Sequence, residues 1–323
     1  MFYAGAQDNG IQKGNAGIFN SWQQVFSADG FRSVFDPNDP LRIWLETQNG
    51  SIHRSLDGGA TWMVGQRCLN TTDRCNWDTP FMISRHNPQW LYAATFRMYG
   101  SVDGVGWSVL SDDLTDGVVF EPRFHNVSAI DESPVASNKL LAGTSDGNVW
   151  RREISGPWVK ISNGLPDRYV TSVHYSPTVA NRIFVTHSGF RDNENIPHVH
   201  RSNDNGQSWE NISANLPPMP VNDLFVLPGH ADSILFAATD AGVYYSASAG
   251  AVWKRLGNSM PIIPVFNLAY NPVQKKLVAA TFARGIWTFP VDSLNSQGAP
   301  LQIRVEGSVQ TETGVPVRHV EIK

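Results

Sequence analysis

The sequence predicts an all-β chain, a β-propeller of about seven four-stranded blades with tight Asp-bearing turns. Three observations carry that expectation. Tryptophans recur at Trp62, Trp107, Trp158, Trp209 and Trp253, with gaps of 45, 51, 51 and 44 residues. Between them the same order of short apolar strands and turns returns, four strands to a unit, which is the length and grammar of a propeller blade. No long stretch carries apolar residues at i, i+3, i+4 and i+7, so helices should be few.

Each unit opens on an apolar strand such as "YVTSVHYSP" or "PVNDLFVLP". A turn with Pro or Asn follows ("DPNDP", "RHNPQ", "YNPVQ"). The second strand is the most hydrophobic: "RIWLET", "WLYAATF", "KLLAGT", "RIFVTH", "ILFAAT", "KLVAAT". A Gly-bearing turn leads to the third strand, then come the Asp-containing turn, the Trp and a short fourth strand. Full units begin near residues 31, 76, 125, 169 and 220. A last unit begins near 264 and stops after its third strand. A partial one at the start, "FYAGAQDNGI" with "SWQQVF", lacks an inner strand.

From about residue 294 the grammar changes. Residues 1–292 read as the propeller and 293–300, "SLNSQGAP" in the main, as a polar linker. In 301–323 "LQIRVEG" alternates apolar and polar residues like a half-buried strand. This reads as the beginning of a β-sandwich module of Ig-like or carboxypeptidase-regulatory-like type, so further domains of the same polypeptide are expected. The opening "MFYAGAQDNG" lacks the basic and apolar regions of a signal peptide and reads as a strand and turn. A leader or upstream domain is therefore expected before residue 1.

Bulk properties narrow the function classes. The 323 residues are 41% hydrophobic and 17% charged, with a formal charge of -4 and a pI near 6.1. No polybasic footprint is present, which argues against a nucleic-acid partner. No apolar run approaches the roughly 20 residues of a membrane span. The two cysteines, Cys68 and Cys75 in "CLNTTDRC", read as a short disulfide closing one surface loop, or as two thiols. A disulfide fits an oxidising compartment. "NTT" at Asn70 is a formal glycosylation sequon.

The phrase "RSLDGGATW" from Arg54 nearly repeats as "RSNDNGQSW" from Arg201. Ser55, Asp57, Gly59, Thr61 and Trp62 match Ser202, Asp204, Gly206, Ser208 and Trp209. "SVDGVGW" is a shortened copy with Ser101, Asp103 and Trp107. "SASAGAVW" has Ser248 in place of Asp, and "ISGPW" has lost the Asp. A phrase written twice reads as a structural part. The carboxylate accepts N–H groups within its own turn, Gly supplies a positive φ, and Trp covers the hairpin end. The pattern Ser-x-Asp-x-Gly-x-Thr/Ser-Trp resembles the Asp-box (BNR) repeat. "AGAQDNG", "NWDTPFMI", "AGTSDGNVW" and "AATFARGIW" are similar to segments of sialidase-like and Vps10-like BNR propellers, over roughly residues 1–292. The resemblance implies a secreted or cell-surface protein, often a bacterial exoprotein with a C-terminal sorting or adhesion module. It does not imply one activity, because the architecture serves glycosidases, sorting receptors and binding scaffolds.

Candidate sites follow. A sialidase resemblance would imply a Phe/Tyr-Arg-Ile-Pro motif near the N-terminus. The nearest string is "LRIW" at Leu41–Trp44, without the Pro. Arg54 and Arg201 precede Asp turns, away from the central funnel. A glycosidase needs two carboxylates facing each other across a cleft. Asp78 in "NWDTP" and Asp223 in "PVNDL" are the best placed, with Asp131 and Asp8 behind them, and the alternative is that they cap strands or bond neighbouring blades. His198 and His200 form an H-x-H pair of the kind that ligates metal, with Asp192 and Glu194 in the same enlarged loop. The competing reading is a solvated hairpin. That loop, "SGFRDNENIPH", offers Phe190, Arg191, Asn193 and His198 for sugar or protein binding. No cofactor motif appears.

The function expected from sequence is therefore a non-catalytic extracellular binding or structural module for a glycan or a surface protein. The alternatives are a xyloglucanase- or sialidase-like glycoside hydrolase with its carboxylates in the axial funnel, and a subunit of a surface filament or secretion assembly.

Overall fold

The chain is described from a computed structural model, which places residues 2–15, 21–118, 125–153, 155–257 and 260–294. The expected β-sandwich module at 301–323 and most of the 293–300 linker lie outside the described residues.

The second strand of each unit explains the architecture. In Ile43–Thr47, Leu140–Thr144 and Leu235–Thr239 every residue is buried. A strand covered on both faces reads as a continuous apolar run, and it must lie inside a stack of sheets. Seven antiparallel sheets result. Blades 3 to 6 have four strands each, opening on Phe81–Ile83, Val127–Glu132, Tyr169–Tyr175 and Val221–Val226. Blades 1, 2 and 7 have three strands. Blade 1 opens on Phe2–Ala6, blade 2 on Gly30–Phe35 and blade 7 on Val265–Asn271. The full four-stranded unit expected from residue 31 is thus reduced in blade 2. Its fourth strand survives only as a bridge between Arg54 and Met63. Two 3-10 turns, Phe190–Asp192 and Val291–Ser293, are the helical elements among the described residues.

The core is a series of layers between blades. Trp44 and Ile52 of blade 2 pack with Phe81 and Leu91 of blade 3. Leu141 and Val149 of blade 4 pack with Val173 and Ile183 of blade 5. Phe184 of blade 5 packs with Leu224 and Leu235 of blade 6. First strands pack on one another from blade to blade and surround the axis of the ring.

Most of these first strands carry a bulge near their start. The register shifts between Gly30 and Ser33, Val127 and Ala129, Val170 and Ser172, Val221 and Asp223, and Val265 and Asn267. A bulge re-aims one or two side chains. Here three of them tie blade to blade. Ser128 Oγ donates to Val170 O at 2.6 Å, Thr171 Oγ1 to Val221 O at 2.8 Å, and Asn222 Nδ2 to Val265 O at 3.0 Å. The same device in blade 2 presents Phe31 and Arg32, and in blade 7 Phe266.

The repeated Asp turns close hairpins and also reach sideways. Asp57 accepts from Thr61 N at 2.9 Å, Thr61 Oγ1 at 2.6 Å and Ser55 Oγ at 2.8 Å. Asp204 repeats this with Ser208 N, Ser208 Oγ and Ser202 Oγ. Gly206 has φ +87°, and a Cβ there would press on Ile161. The indoles do more than cover the hairpin. Trp158, Trp209 and Trp253 donate Nε1–H to Leu110 O, Ile161 O and Ile212 O of the preceding blade. Arg54 and Arg201 bond forward, to Asp103 O at 3.2 Å and Ala249 O at 3.1 Å in the turn of the next blade.

Candidate functional site

The bulged ends of the first strands share one end of the ring with the segment that enters blade 3. That segment is fixed first. Cys68 and Cys75 are joined by a disulfide, with Cα atoms 5.4 Å apart. Between them Asp73 is buried. It accepts from Thr95 Oγ1 at 2.7 Å, Arg97 Nε at 3.1 Å, Arg97 Nη2 at 2.9 Å and Tyr99 OH at 2.5 Å. The loop so anchored delivers Asn76, Trp77 and Asp78 to this end of the ring, its mouth, beside Phe31 and Tyr169.

Trp77 is 47% exposed. Its ring meets Phe31 of blade 2 edge-on, at 6.2 Å and 90°. Asn76 Nδ2 donates to the Tyr169 hydroxyl at 2.8 Å. The Arg191 guanidinium lies over the Tyr169 ring at 4.8 Å. Asp78 is exposed beside Trp77. Desolvation raises its carboxyl, while Arg32 and a hydrogen bond from Glu46 act in the opposite direction.

Glu46, in the second strand of blade 2, is fully buried. Burial first, and then the Asp78 charge, holds its carboxyl well above the usual range, against the N–H groups of Thr79 and Gly50 and the Arg32 charge. Its Oε1 accepts from Thr79 N at 3.0 Å and Gly50 N at 3.3 Å. Its Oε2 has no donor partner. Burial and the Asp78 charge both favour the protonated form of Glu46.

The other predicted residues fall elsewhere. Asp223 is buried and fully used. It accepts from Leu224 N at 2.8 Å, Leu268 N at 2.9 Å and Asn267 Nδ2 at 3.2 Å, and pairs with His174 Nε2 at 3.2 Å. Asp131 repeats the role, accepting from Tyr175 N at 2.8 Å and Arg85 Nη2 at 2.6 Å. Both are ties between blades. For Asp223 and Asp131 the bonds match the alternative reading, that these acids bond neighbouring blades.

His198 and His200 are buried, so the hairpin is not solvated. Strand register sets His187 opposite His198, and the three rings lie 5.7 to 6.2 Å apart. Among the described residues no group of three or more His, Cys, Asp and Glu side chains is arranged to hold a metal ion. His198 instead bonds Glu194, which also takes Arg168 Nη2 at 2.8 Å. This chain of bonds anchors the enlarged loop and brings Arg191 over Tyr169. Asn193 is the left-handed cap of the 3-10 turn at φ 55°, a backbone role. Phe190 stands 70% exposed on the same loop.

Sequence reasoning missed Phe31, Arg32, Glu46, Asn76, Trp77 and Tyr169. Glu46 had a signal, a lone acid inside the apolar strand "RIWLET". Trp77 adjoined a residue already singled out.

No family model and no curated protein matches the chain. Solved structures do. An ancestral GH74 enzyme superposes with a TM-score of 0.72 at 16% identity, over 96% of this chain and 45% of that one. YCF48 from Cyanidioschyzon merolae superposes with a TM-score of 0.67 at 14% identity, over 90% and 92%. A structure of YCF48 bound to D1 peptide gives 0.53 at 17% identity, over 82% and 83%. The chain spans about half the length of the GH74 enzymes it resembles. The protein is a seven-bladed β-propeller. These likenesses establish the fold.

Proposed function

We propose that this propeller is a binding module of a secreted or cell-surface protein, and that it takes its ligand at the mouth of the axial channel. One observation carries the reading. Of the two acids expected to face each other across a cleft, only Asp78 is exposed at the mouth. A glycosidase needs both acids free to reach the sugar bond held between them. Asp223, the predicted partner, is consumed by bonds between blades. What the mouth does offer is a half-exposed tryptophan held edge-on, a tyrosine fixed by an amide, and two exposed arginines, Arg32 and Arg191. A rigid aromatic with polar neighbours suits recognition. The disulfide supports an oxidising location. No helix among the described residues is long and apolar enough to cross a membrane.

The deciding experiment measures product release and binding together. The protein is incubated with xyloglucan, sialylated glycans and other polysaccharides, and soluble sugars are read by mass spectrometry. Binding is read by tryptophan fluorescence for the chain and for Trp77→Ala. Release of oligosaccharide that stops in Asp78→Asn would replace the binding reading with hydrolysis. Saturable binding that Trp77→Ala removes, without release, is the expected result.

A further inference from the structure

We propose that residues 317–322 of this chain close the ring as the inner strand of blade 1, running antiparallel to Phe2–Ala6 and covering the open face of blade 7. The inference goes beyond the binding reading and, for these residues, takes the place of the sandwich module expected at 301–323.

The described residues leave a slot between blades 7 and 1. In blades 4, 5 and 6 the second strand lies between an inner and a third strand, and it packs on the inner strand of the next blade. Phe2–Ala6 holds this second position in blade 1. It packs on the inner strand of blade 2, and a Cβ on Gly5 would strike Phe31 there, as a Cβ on Gly143 of blade 4 would strike Val170 of blade 5. Yet Phe2–Ala6 pairs with Gly10–Gly14 alone, and its other edge is unpaired among the described residues. The facing wall is open too. In Lys276–Thr281, the second strand of blade 7, Val278 is half-buried and Ala280 is exposed. By register these positions match Leu141 and Gly143 of blade 4, which are buried beneath Val170 and Val173. Phe266 and Phe282 stand beside them, 54% and 62% exposed, with rings 6.1 Å apart. An unpaired edge beside an uncovered apolar face is a place for one more strand.

The inner strands carry a signature that names the occupant. Val127, Val170, Val221 and Val265 each stand at the bulged start of one, and each is fully buried. Three residues on stand Ile130, Val173, Leu224 and Leu268, and five on, in three of the four, Tyr175, Val226 and Tyr270. Val317 repeats the spacing with Val320 and Ile322. Pro316 precedes it as Pro220 precedes Val221 and Pro264 precedes Val265. The first step of three residues is the mark of the bulge, which a plain alternating strand lacks. The four valines are spaced by 43, 51 and 44 residues, and Val317 follows Val265 by 52, one blade period. The register of blade 4 sets Val127 opposite Thr144 and Ile130 opposite Ala142. Carried to blade 1, it sets Val317 opposite Ala6 and Val320 opposite Ala4. Val317 and Val320 then cover Val278 and Ala280. Arg318 takes the position from which Ser128, Thr171 and Asn222 donate to the next blade. The 22 residues between Leu294 and Val317 can span roughly 70 Å, enough to lead from blade 7 to either end of its neighbour.

The test is disulfide trapping in the full chain. Opposite residues of an antiparallel pair lie roughly 4.5–5.5 Å apart at Cα, a distance that a disulfide spans. Ala4→Cys with Val320→Cys should oxidise to a bond within one chain, read by peptide mapping of the monomer from gel filtration. Ala4→Cys with Ile303→Cys, in the other strand-like stretch, should not. Hydrogen exchange supplies a second readout. Amides of residues 2–6 and 317–322 should exchange at least about tenfold slower in the wild type than in Val317→Asp with Val320→Asp. Thermal midpoints show whether that variant remains folded, and if it does not, trapping and the wild-type exchange decide. A bond between two chains gives the slot to a second copy and overturns closure within one chain. A bond from Ile303 as readily as from Val320 overturns the segment and the register. No bond from either, or rapid exchange of 317–322 in the wild type, overturns the inference.

Discussion

Asn76 and Tyr169 meet at the mouth, with the amide donating to the phenolic oxygen at 2.8 Å. The two residues belong to the segment entering blade 3 and the first strand of blade 5, so the bond passes over blade 4. Tyr169 also lies under Arg191, and desolvation keeps its hydroxyl protonated. Tyr169→Phe removes one hydrogen bond from a half-buried amide. A loss of about 0.5–1.5 kcal/mol is expected in urea unfolding, together with weaker ligand binding, because Asn76 and its neighbour Trp77 lose their brace. Unchanged affinity would separate Tyr169 from the site.

The segment has a second anchor in Asp73. Its carboxylate neutralises Arg97, whose side chain is 25% exposed. Breaking a buried pair typically costs 3–5 kcal/mol and partial exposure lowers that, so Asp73→Ala should cost roughly 2–3 kcal/mol. The disulfide closes a short loop and contributes about 2–3 kcal/mol in the chain-entropy account. Both hold the same eight residues, Cys68 to Cys75. The double variant of Asp73→Ala with both cysteines replaced by Ser should therefore fall short of the sum of the two effects. Additive urea midpoints would show that the two anchors act on separate pieces of structure.

The raised Glu46 carboxyl gives a pH signature of definite sign. Glu46 holds its proton in the folded chain to a higher pH than in the unfolded one. Its contribution to stability is full below the ordinary glutamate range and is lost as pH rises through the folded value. Glu46→Gln keeps an acceptor for Thr79 and Gly50 and offers an N–H to Asp78. The variant should match the wild type near pH 4 and exceed it at pH 8. The comparison is a pair of thermal midpoints at each pH, and the reverse order would mean that the pair is not protonated.

The blades were legible in the sequence because each residue of the repeat acts within about four positions or one blade period. Ser55 and Asp57 close their own turn, and the alternation of strands and turns is local. The mouth was not legible because its partners are distant in the chain. Glu46 bonds a segment 33 residues on, and Asn76 and Tyr169 are 93 residues apart. Asp78 and Asp223 were singled out by position in a unit, and position alone does not distinguish a group facing solvent from one spent on a neighbouring blade. His187 shows the same limit: only strand register sets it opposite His198.

His53 predicts an acid limit. Burial lowers its pKa to about 4. Nδ1 accepts from Gly65 N at 3.1 Å, so Nε2 carries the proton toward Thr47 Oγ1 at 2.9 Å, and the ring packs on Phe26. Protonation at Nδ1 breaks the Gly65 bond. Unfolded histidine takes a proton from about pH 6.5 downward, and the folded residue does not until about 4. Stability therefore falls across that window, by about 3 kcal/mol for this residue at its acid end. Burial also lowers His200 to about 4 and holds His187 well below the ordinary histidine value. His53→Gln should flatten the decline between pH 6.5 and 4 in urea unfolding, and an unchanged slope would remove His53 from the account.

Ser248 makes the Asp turn testable by gain. In blade 6 the serine hydroxyl accepts Val252 N at 3.0 Å and meets Ser246 Oγ at 3.2 Å. Gly250 N still donates to Ser246 Oγ at 3.0 Å, as Gly206 N does to Ser202 Oγ at 2.7 Å. The frame of the turn is therefore intact without the carboxylate. Ser248→Asp should add an acceptor for the turn N–H groups and raise the thermal midpoint at pH 7. The carboxylates already in such turns, Asp57 and Asp204, are held down to about 2, led by their hydrogen bonds to Thr61 and Ser208. A group whose folded pKa is depressed stabilises above its unfolded value and loses that effect as pH falls through the folded one. The gain should persist above about pH 4 and vanish near pH 2. A gain that survives at pH 2 would assign the effect to packing, and no gain at pH 7 would show that blade 6 had already replaced the tie through Trp253 and Ile212.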